Sequence, residues 1–181
     1  QRISLSKQGS EGFRYNTDYD INTIYYQGRM KVNQQAPIDI QAGYTERKFG
    51  ANGFYANESY TEQYEEVRTG FISATSSIAF DNLVIKPRLS WRTNKDEYVF
   101  LRDDPSFFMN THRGNSYIGE LHAAYSSAFG TTGIGLEINR ETLSSNNLGE
   151  RERSIIGVFV EQRMGFLDDK LNAIFGFYGN K

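Results

Sequence analysis

The chain has 181 residues, 38% of them hydrophobic, no cysteine and a formal net charge of -2. The missing cysteines exclude disulfide frameworks, thiolate metal sites and thiol nucleophiles. The balanced, interspersed charge argues against a nucleic-acid surface, which needs a basic excess. No stretch approaches the roughly 18 consecutive apolar residues of a transmembrane helix. A soluble protein has a similar mean hydropathy, but a β-barrel also shows it, because only alternate residues meet lipid.

Period-two alternation runs through the chain, and helical periodicity is nearly absent. The N-terminus begins Gln1-Arg2-Ile3-Ser4-Leu5, already alternating and without a signal peptide. Ile24, Tyr26, Met30 and Val32 oppose Tyr25, Gln27, Arg29 and Lys31. Ile38, Ile40, Ala42 and Tyr44 oppose Asp39, Gln41, Gly43 and Thr45. The clearest case puts Leu83, Ile85, Pro87, Leu89 and Trp91 on one face. Lys86, Arg88, Ser90 and Arg92 lie with Val84 on the other. Leu121, Ala123, Tyr125 and Phe129 oppose Glu120, His122 and Ser126, and Ile134, Leu136 and Ile138 oppose Glu137 and Asn139. Ile156, Val158, Val160, Gln162, Met164 and Phe166 oppose Phe159, Glu161 and Arg163, and Leu171, Ala173, Phe175 and Phe177 close the chain. The pattern predicts about nine strands, many of the roughly 9–11 residues that cross a membrane.

The predicted connections alternate in length. Short ones fall at 33–36, 81–82, 130–132 and 167–170, and long ones at 7–18, 48–63, 97–114 and 142–153. Short turns at one end and long loops at the other are the outer-membrane pattern. Phe80, Phe129 and Phe166 each stand directly before a short turn. Aromatics at one depth on successive hairpins predict an interfacial girdle.

Several segments, in order, carry a family resemblance. They include Phe13-Arg14-Tyr15-Asn16-Thr17-Asp18-Tyr19, Lys48-Phe49-Gly50-Ala51-Asn52-Gly53-Phe54-Tyr55-Ala56 and Pro87-Arg88-Leu89-Ser90-Trp91-Arg92. Phe100-Leu101-Arg102-Asp103-Asp104-Pro105, Asn110-Thr111-His112-Arg113 and Leu143-Ser144-Ser145-Asn146-Asn147-Leu148-Gly149 follow. Over most of its length the chain resembles the mid-barrel of TonB-dependent receptors, in particular those assigned to cobalamin uptake in gut Gram-negative anaerobes. The resemblance implies an all-β fold: an antiparallel meander of long transmembrane strands in a barrel of about 22 strands. Residues 1–181 are then a partial barrel domain, with the plug domain and the remaining strands outside this chain. It further implies uptake without covalent chemistry, so neither an enzyme nor a cofactor is expected. The implied partners are cobalamin or a similar large nutrient, the protein's own plug domain, the TonB complex, a surface lipoprotein capping the receptor, and the lipid bilayer of the outer membrane.

Candidate ligand contacts lie on the long loops. Phe54, Tyr55 and Tyr60 offer amphipathic area at low entropy cost. Asp103, Asp104 and His112 offer polar contacts. Clustered carboxylates at Asp96, Glu97, Asp103 and Asp104 are suitable donors for a hard cation, but their spacing does not match an EF-hand loop. His112 and His122 lack the spacing of a zinc pair, and no nucleophile motif accompanies them. Arg29, Lys31, Arg47, Arg88, Arg92, Glu120, Glu137, Glu141, Glu161 and Arg163 share the polar faces, where the resemblance places the lumen. Rival readings are a receptor of this class for a siderophore or glycan, a complete small outer-membrane barrel, and a soluble all-β binding domain.

Overall fold

The computed structural model describes residues 1–31, 36–55, 57–167 and 170–181. The short turns expected at 33–36 and 167–170 lie largely outside the described residues. Ten strand segments follow in chain order: β1 (Arg2–Ser10), β2 (Tyr19–Lys31), β3 (Pro37–Gly50), β4 (Tyr64–Ser76), β5 (Ile78–Phe80), β6 (Leu83–Val99), β7 (Met109–Ser127), β8 (Gly130–Ser145), β9 (Gly149–Phe166) and β10 (Leu171–Asn180). There is no helix among the described residues, and each pairing is antiparallel between neighbours in the order β1-β2-β3-β4-β6-β7-β8-β9-β10. The sheet does not close, and β1 and β10 form its edges.

β5 continues β4 rather than adding a rank. Thr75 faces Arg88 and Ile78 faces Ile85, so one register runs through both segments. The interruption falls opposite Pro87, which has no N–H to give to the ladder. At the β7–β8 turn, Gly130 holds φ 109, a conformation that L side chains rarely adopt.

The register assigns each side chain to a face. One face carries Leu5, Ile24, Tyr44, Ile72, Leu89, Trp91, Tyr117, Leu121, Leu136, Ile138, Ile156, Val158 and Phe175, all exposed. Toward the long-loop end that face turns charged, with ion pairs both along and between strands. Lys48 and Arg68 pair with Glu46 at 3.4 and 3.0 Å, Lys95 with Glu97 at 2.9 Å and Arg140 with Glu152 at 3.0 Å. The opposite face is mainly polar, with Val67, Phe71, Ile118 and Phe159 interspersed. Arg29 grips Asp39, Arg88 bonds Glu120, and Thr69 donates to Asn94 at 2.6 Å, each across a directly opposed pair. Such opposed pairs are the stabilising units of a sheet.

This arrangement leaves the sheet without a core. Ala51 and Val99 are the only buried apolar side chains of any size among the described residues, and both sit at the loop end. A compact chain of 20.7 kDa would expose about 8,900 Å² by the usual size scaling, whereas this one exposes 12823 Å². A single layer with one apolar face is not a self-sufficient domain. A soluble sandwich would need a second layer, and none is present among the described residues.

The loops are shorter than their sequence pattern suggests. β3 runs to Gly50, β6 to Val99 and β7 starts at Met109. The expected long loop at 142–153 is instead a tight connection of residues 146–148 between β8 and β9. Charged residues there alternate along paired strands, so polarity marks a strand extending beyond the apolar region, not a loop.

Candidate functional site

Three loops (residues 11–18, 51–63 and 100–108) pack together over the end of β2, β3, β4 and β6, and Arg102 joins them. Its Nη1 and Nη2 donate to the two carboxylate oxygens of Asp18 at 2.6 and 2.8 Å, and Nη1 also reaches Asn16 Oδ1 at 2.9 Å. The guanidinium lies 4.6 Å from the centre of the Tyr64 ring. The backbone N–H of Arg102 donates to the Glu62 carbonyl at 2.9 Å. The hydrogen bonds from Arg102 hold the Asp18 carboxyl below its ordinary value, against the opposing effect of burial.

Asn16 is the second junction. It is buried and takes the left-handed conformation with φ 52, which asparagine tolerates better than most residues. Its amide nitrogen donates to the carbonyls of Thr61 and Gln63 at 2.7 and 2.6 Å. A Cβ on Gly50 would stand 2.5 Å from the Asn16 carbonyl oxygen, so this approach requires glycine. Gln63 is 1% exposed, the most enclosed side chain among the described residues.

A chain of rings lies against this polar knot. Phe54 meets Tyr55 edge-on at 4.9 Å, and Tyr55 meets Tyr98 at 5.4 Å. Tyr98 leads to Phe108, Phe108 to Phe100, and Phe100 to Tyr60 at 5.1 Å and Phe107 at 6.0 Å. Tyr98 and Glu65 are opposed on the polar face, and the Tyr55 hydroxyl bonds Glu65. The rings therefore overhang the polar side of the sheet. Phe54 and Phe107 remain 76% and 64% exposed, which leaves ring faces open for contact.

Beneath the rings lie Glu65, Asp96 and His112. Burial, with a smaller push from Asp96, raises the Glu65 carboxyl to about 7. Burial also raises Asp96, and His112 partly offsets it. One Asp96 oxygen is enclosed without a hydrogen-bond partner among the described residues. His112 shares a hydrogen bond with Ser145 at 2.8 Å through Nδ1.

The candidate contacts divide accordingly. Phe54, Tyr55 and Tyr60 come together in the ring chain. His112 is a strand residue of β7 opposite Asp96, not a loop residue. Asp103 and Asp104 are exposed on the third loop, where Asp104 accepts from Ser106 at 2.5 Å. The acidic run is split: Asp96 faces the polar side and Glu97 the other. No group of three potential metal ligands occurs among the described residues. Sequence reasoning missed Arg102, Asn16, Asp18 and Gln63. Their long-range pairing has no periodic signature, although Arg102 and Asp18 both lie in the segments that carry the family resemblance.

No protein-family model, no curated protein and no solved structure matches the chain.

Proposed function

We propose that the chain is part of the barrel wall of an outer-membrane, TonB-dependent receptor that binds and imports a scarce, bulky nutrient. The observation that supports this reading is the two-sided sheet. Its uncovered apolar face, about 9–11 residues tall on β6, β7 and β9, matches the reach of tilted strands across a hydrocarbon layer, and it ends in a charged ladder on the loop side. Lipid is the solvent that covers such a face at no cost, while the polar face turns to the lumen. Phe80, Phe129 and Phe166, all exposed at the short-turn end, suit the inner interface. Trp91 and Tyr117, directly opposed on the apolar face, suit the outer one. The open sheet fits a segment of a larger barrel better than a complete small one.

Within this reading the loop cluster faces the cell exterior, and its ring chain overhangs the mouth of the lumen. Open aromatic faces beside amide and carboxylate groups suit a ligand with a broad apolar ring and a polar fringe. Cobalamin is the ligand favoured by the sequence resemblance. The plug domain fills the lumen, and TonB drives uptake through it. Single cysteines in the full-length protein, labelled in intact cells, test the topology. Ser106 and Asn146 should react from outside and Asn82 should not, and the reverse pattern contradicts the proposal. Titration of the purified protein with cobalamin, a ferric siderophore and a glycan tests the ligand.

A further inference from the structure

One cleft on the polar side of β6 to β9 is walled by three guanidiniums. It is an open depression of about 360 Å³. The register sets Arg92, Ser116, Glu141 and Arg153 in one row, with Asn94, Gly114, Leu143 and Arg151 in the next. Arg92 rises from β6, and Arg151 and Arg153 from β9. Three strand spacings, about 14 Å, separate the two walls. Gly114 and Ser116 keep the β7 half of the floor low, and Glu141 and Leu143 of β8 form the other half.

Charge in this cleft does not balance. Glu141 is the one carboxylate on this face among the lining residues, and Arg153 already holds it. Arg153 Nε and Nη2 both donate to Glu141 Oε2, at 3.1 and 2.5 Å, and Asn139 donates to Oε1 at 3.3 Å. Glu152 also borders the cleft, but its side chain belongs to the other face and pairs with Arg140. Among the described residues no ion pair joins Arg92 or Arg151 to a carboxylate. Two cations that never deprotonate thus stand uncompensated around one hollow.

We infer that this cleft is a seat for an anionic oxygen group, a carboxylate or a phosphate, gripped by Arg92 and Arg151 while the Arg153–Glu141 pair shapes its far wall. A guanidinium presents planar, paired donors that match both groups. Two of them on facing walls allow the anion to be held from both sides. The amide nitrogen of Asn94 adds a neutral donor, since its oxygen is taken by Thr69. The anion comes either from a soluble ligand or from an acidic side chain of the same protein lying against the polar face.

Calorimetric titration of the full-length protein in detergent with inorganic pyrophosphate, at low salt, tests the seat. The comparison is with the Arg92→Gln/Arg151→Gln variant and with Arg113→Gln, whose side chain is on the opposite face. Saturable binding that weakens at least tenfold in the double variant, and not in Arg113→Gln, establishes a seat open to soluble anions. If pyrophosphate does not bind, thermal unfolding decides. A lower Tm in the double variant, restored by Arg92→Lys/Arg151→Lys and abolished by high salt, establishes a seat filled by the protein's own carboxylate. The absence of both pyrophosphate binding and a Tm change overturns the inference, as does binding that survives in the double variant.

Discussion

Arg102 and Asp18, 84 positions apart in sequence, form a two-pronged ion pair at 2.6 and 2.8 Å that ties the third loop to the first. The buried Asn16, Ala51 and Gln63 gather around that pair, so it sets the shape of the candidate site. Arg102→Ala should release the three loops without unfolding the sheet. The pair is partly exposed, so the cost is expected near the lower end for charged hydrogen bonds, about 1–2 kcal/mol. Hydrogen exchange at the amides of Gly50, Ala51 and Asn52, which bond across the cluster, should accelerate, while β7 and β8 amides stay protected. Arg102→Lys should restore little, because an ammonium cannot span both carboxylate oxygens. Unchanged exchange at Gly50 to Asn52 contradicts the role.

Asp18 adds a pH signature. Its carboxyl is held below the ordinary value by Arg102, so this contribution is complete above about pH 4 and is lost as the pH falls through the lowered value. Loop protection should drop in acid in the wild type, and Asp18→Asn should remove that part of the dependence.

Glu65 behaves in the opposite sense. Its carboxyl is raised to about 7, mainly by burial, so the folded protein binds this proton more tightly than the unfolded chain does. The stabilisation is present below the unfolded value of about 4.3 and disappears as the pH rises toward 7. The ring cluster should therefore be better protected at pH 6 than at pH 8. Glu65→Gln, which is neutral throughout, should flatten that difference. A variant that keeps the full pH response contradicts the assignment.

The ring chain supplies the ligand prediction. Phe54→Ala with Phe107→Ala removes two open ring faces whose side chains are well exposed. Affinity for cobalamin should fall by roughly tenfold or more, about 1–3 kcal/mol, with barrel assembly unchanged. Unaltered affinity, measured by titration of purified protein, removes the rings from the site.

Strand faces were legible because alternation is a local property. Leu89 and Arg88 could be assigned to opposite sides from their neighbours alone, and the register bears this out. Strand ends were not legible. Beyond the apolar band both faces carry charge, so residues such as Glu152 and Arg153 look like loop in sequence although they pair with Arg140 and Glu141 across β8 and β9. His112 was misread for the same reason. The rings at Phe54, Tyr55 and Tyr60 stood out by composition. The Arg102, Asn16 and Asp18 junction did not, because nothing local to any one of them announces partners more than 80 residues away.

The lipid-facing claim predicts unequal tolerance at adjacent positions. Leu89→Arg places a charge on the apolar face and should cost roughly 2–4 kcal/mol in a bilayer if the site is near the midplane. Arg88→Leu loses its bond to Glu120 but should leave membrane insertion intact. Folding yields in lipid vesicles compare the two, and equal tolerance contradicts the face assignment, since a one-residue slip exchanges the sides.

The central claim is that the apolar face meets lipid, and quenching by brominated acyl chains reads this most directly. The chain has no native cysteine, so single cysteines at Leu89 and Ser90 of the full-length, otherwise cysteine-free protein can carry a bimane label in vesicles. The account predicts strong quenching at Leu89 and little at Ser90, the next residue on the other face. Equal quenching at the two positions, or quenching at Ser90 alone, would contradict it.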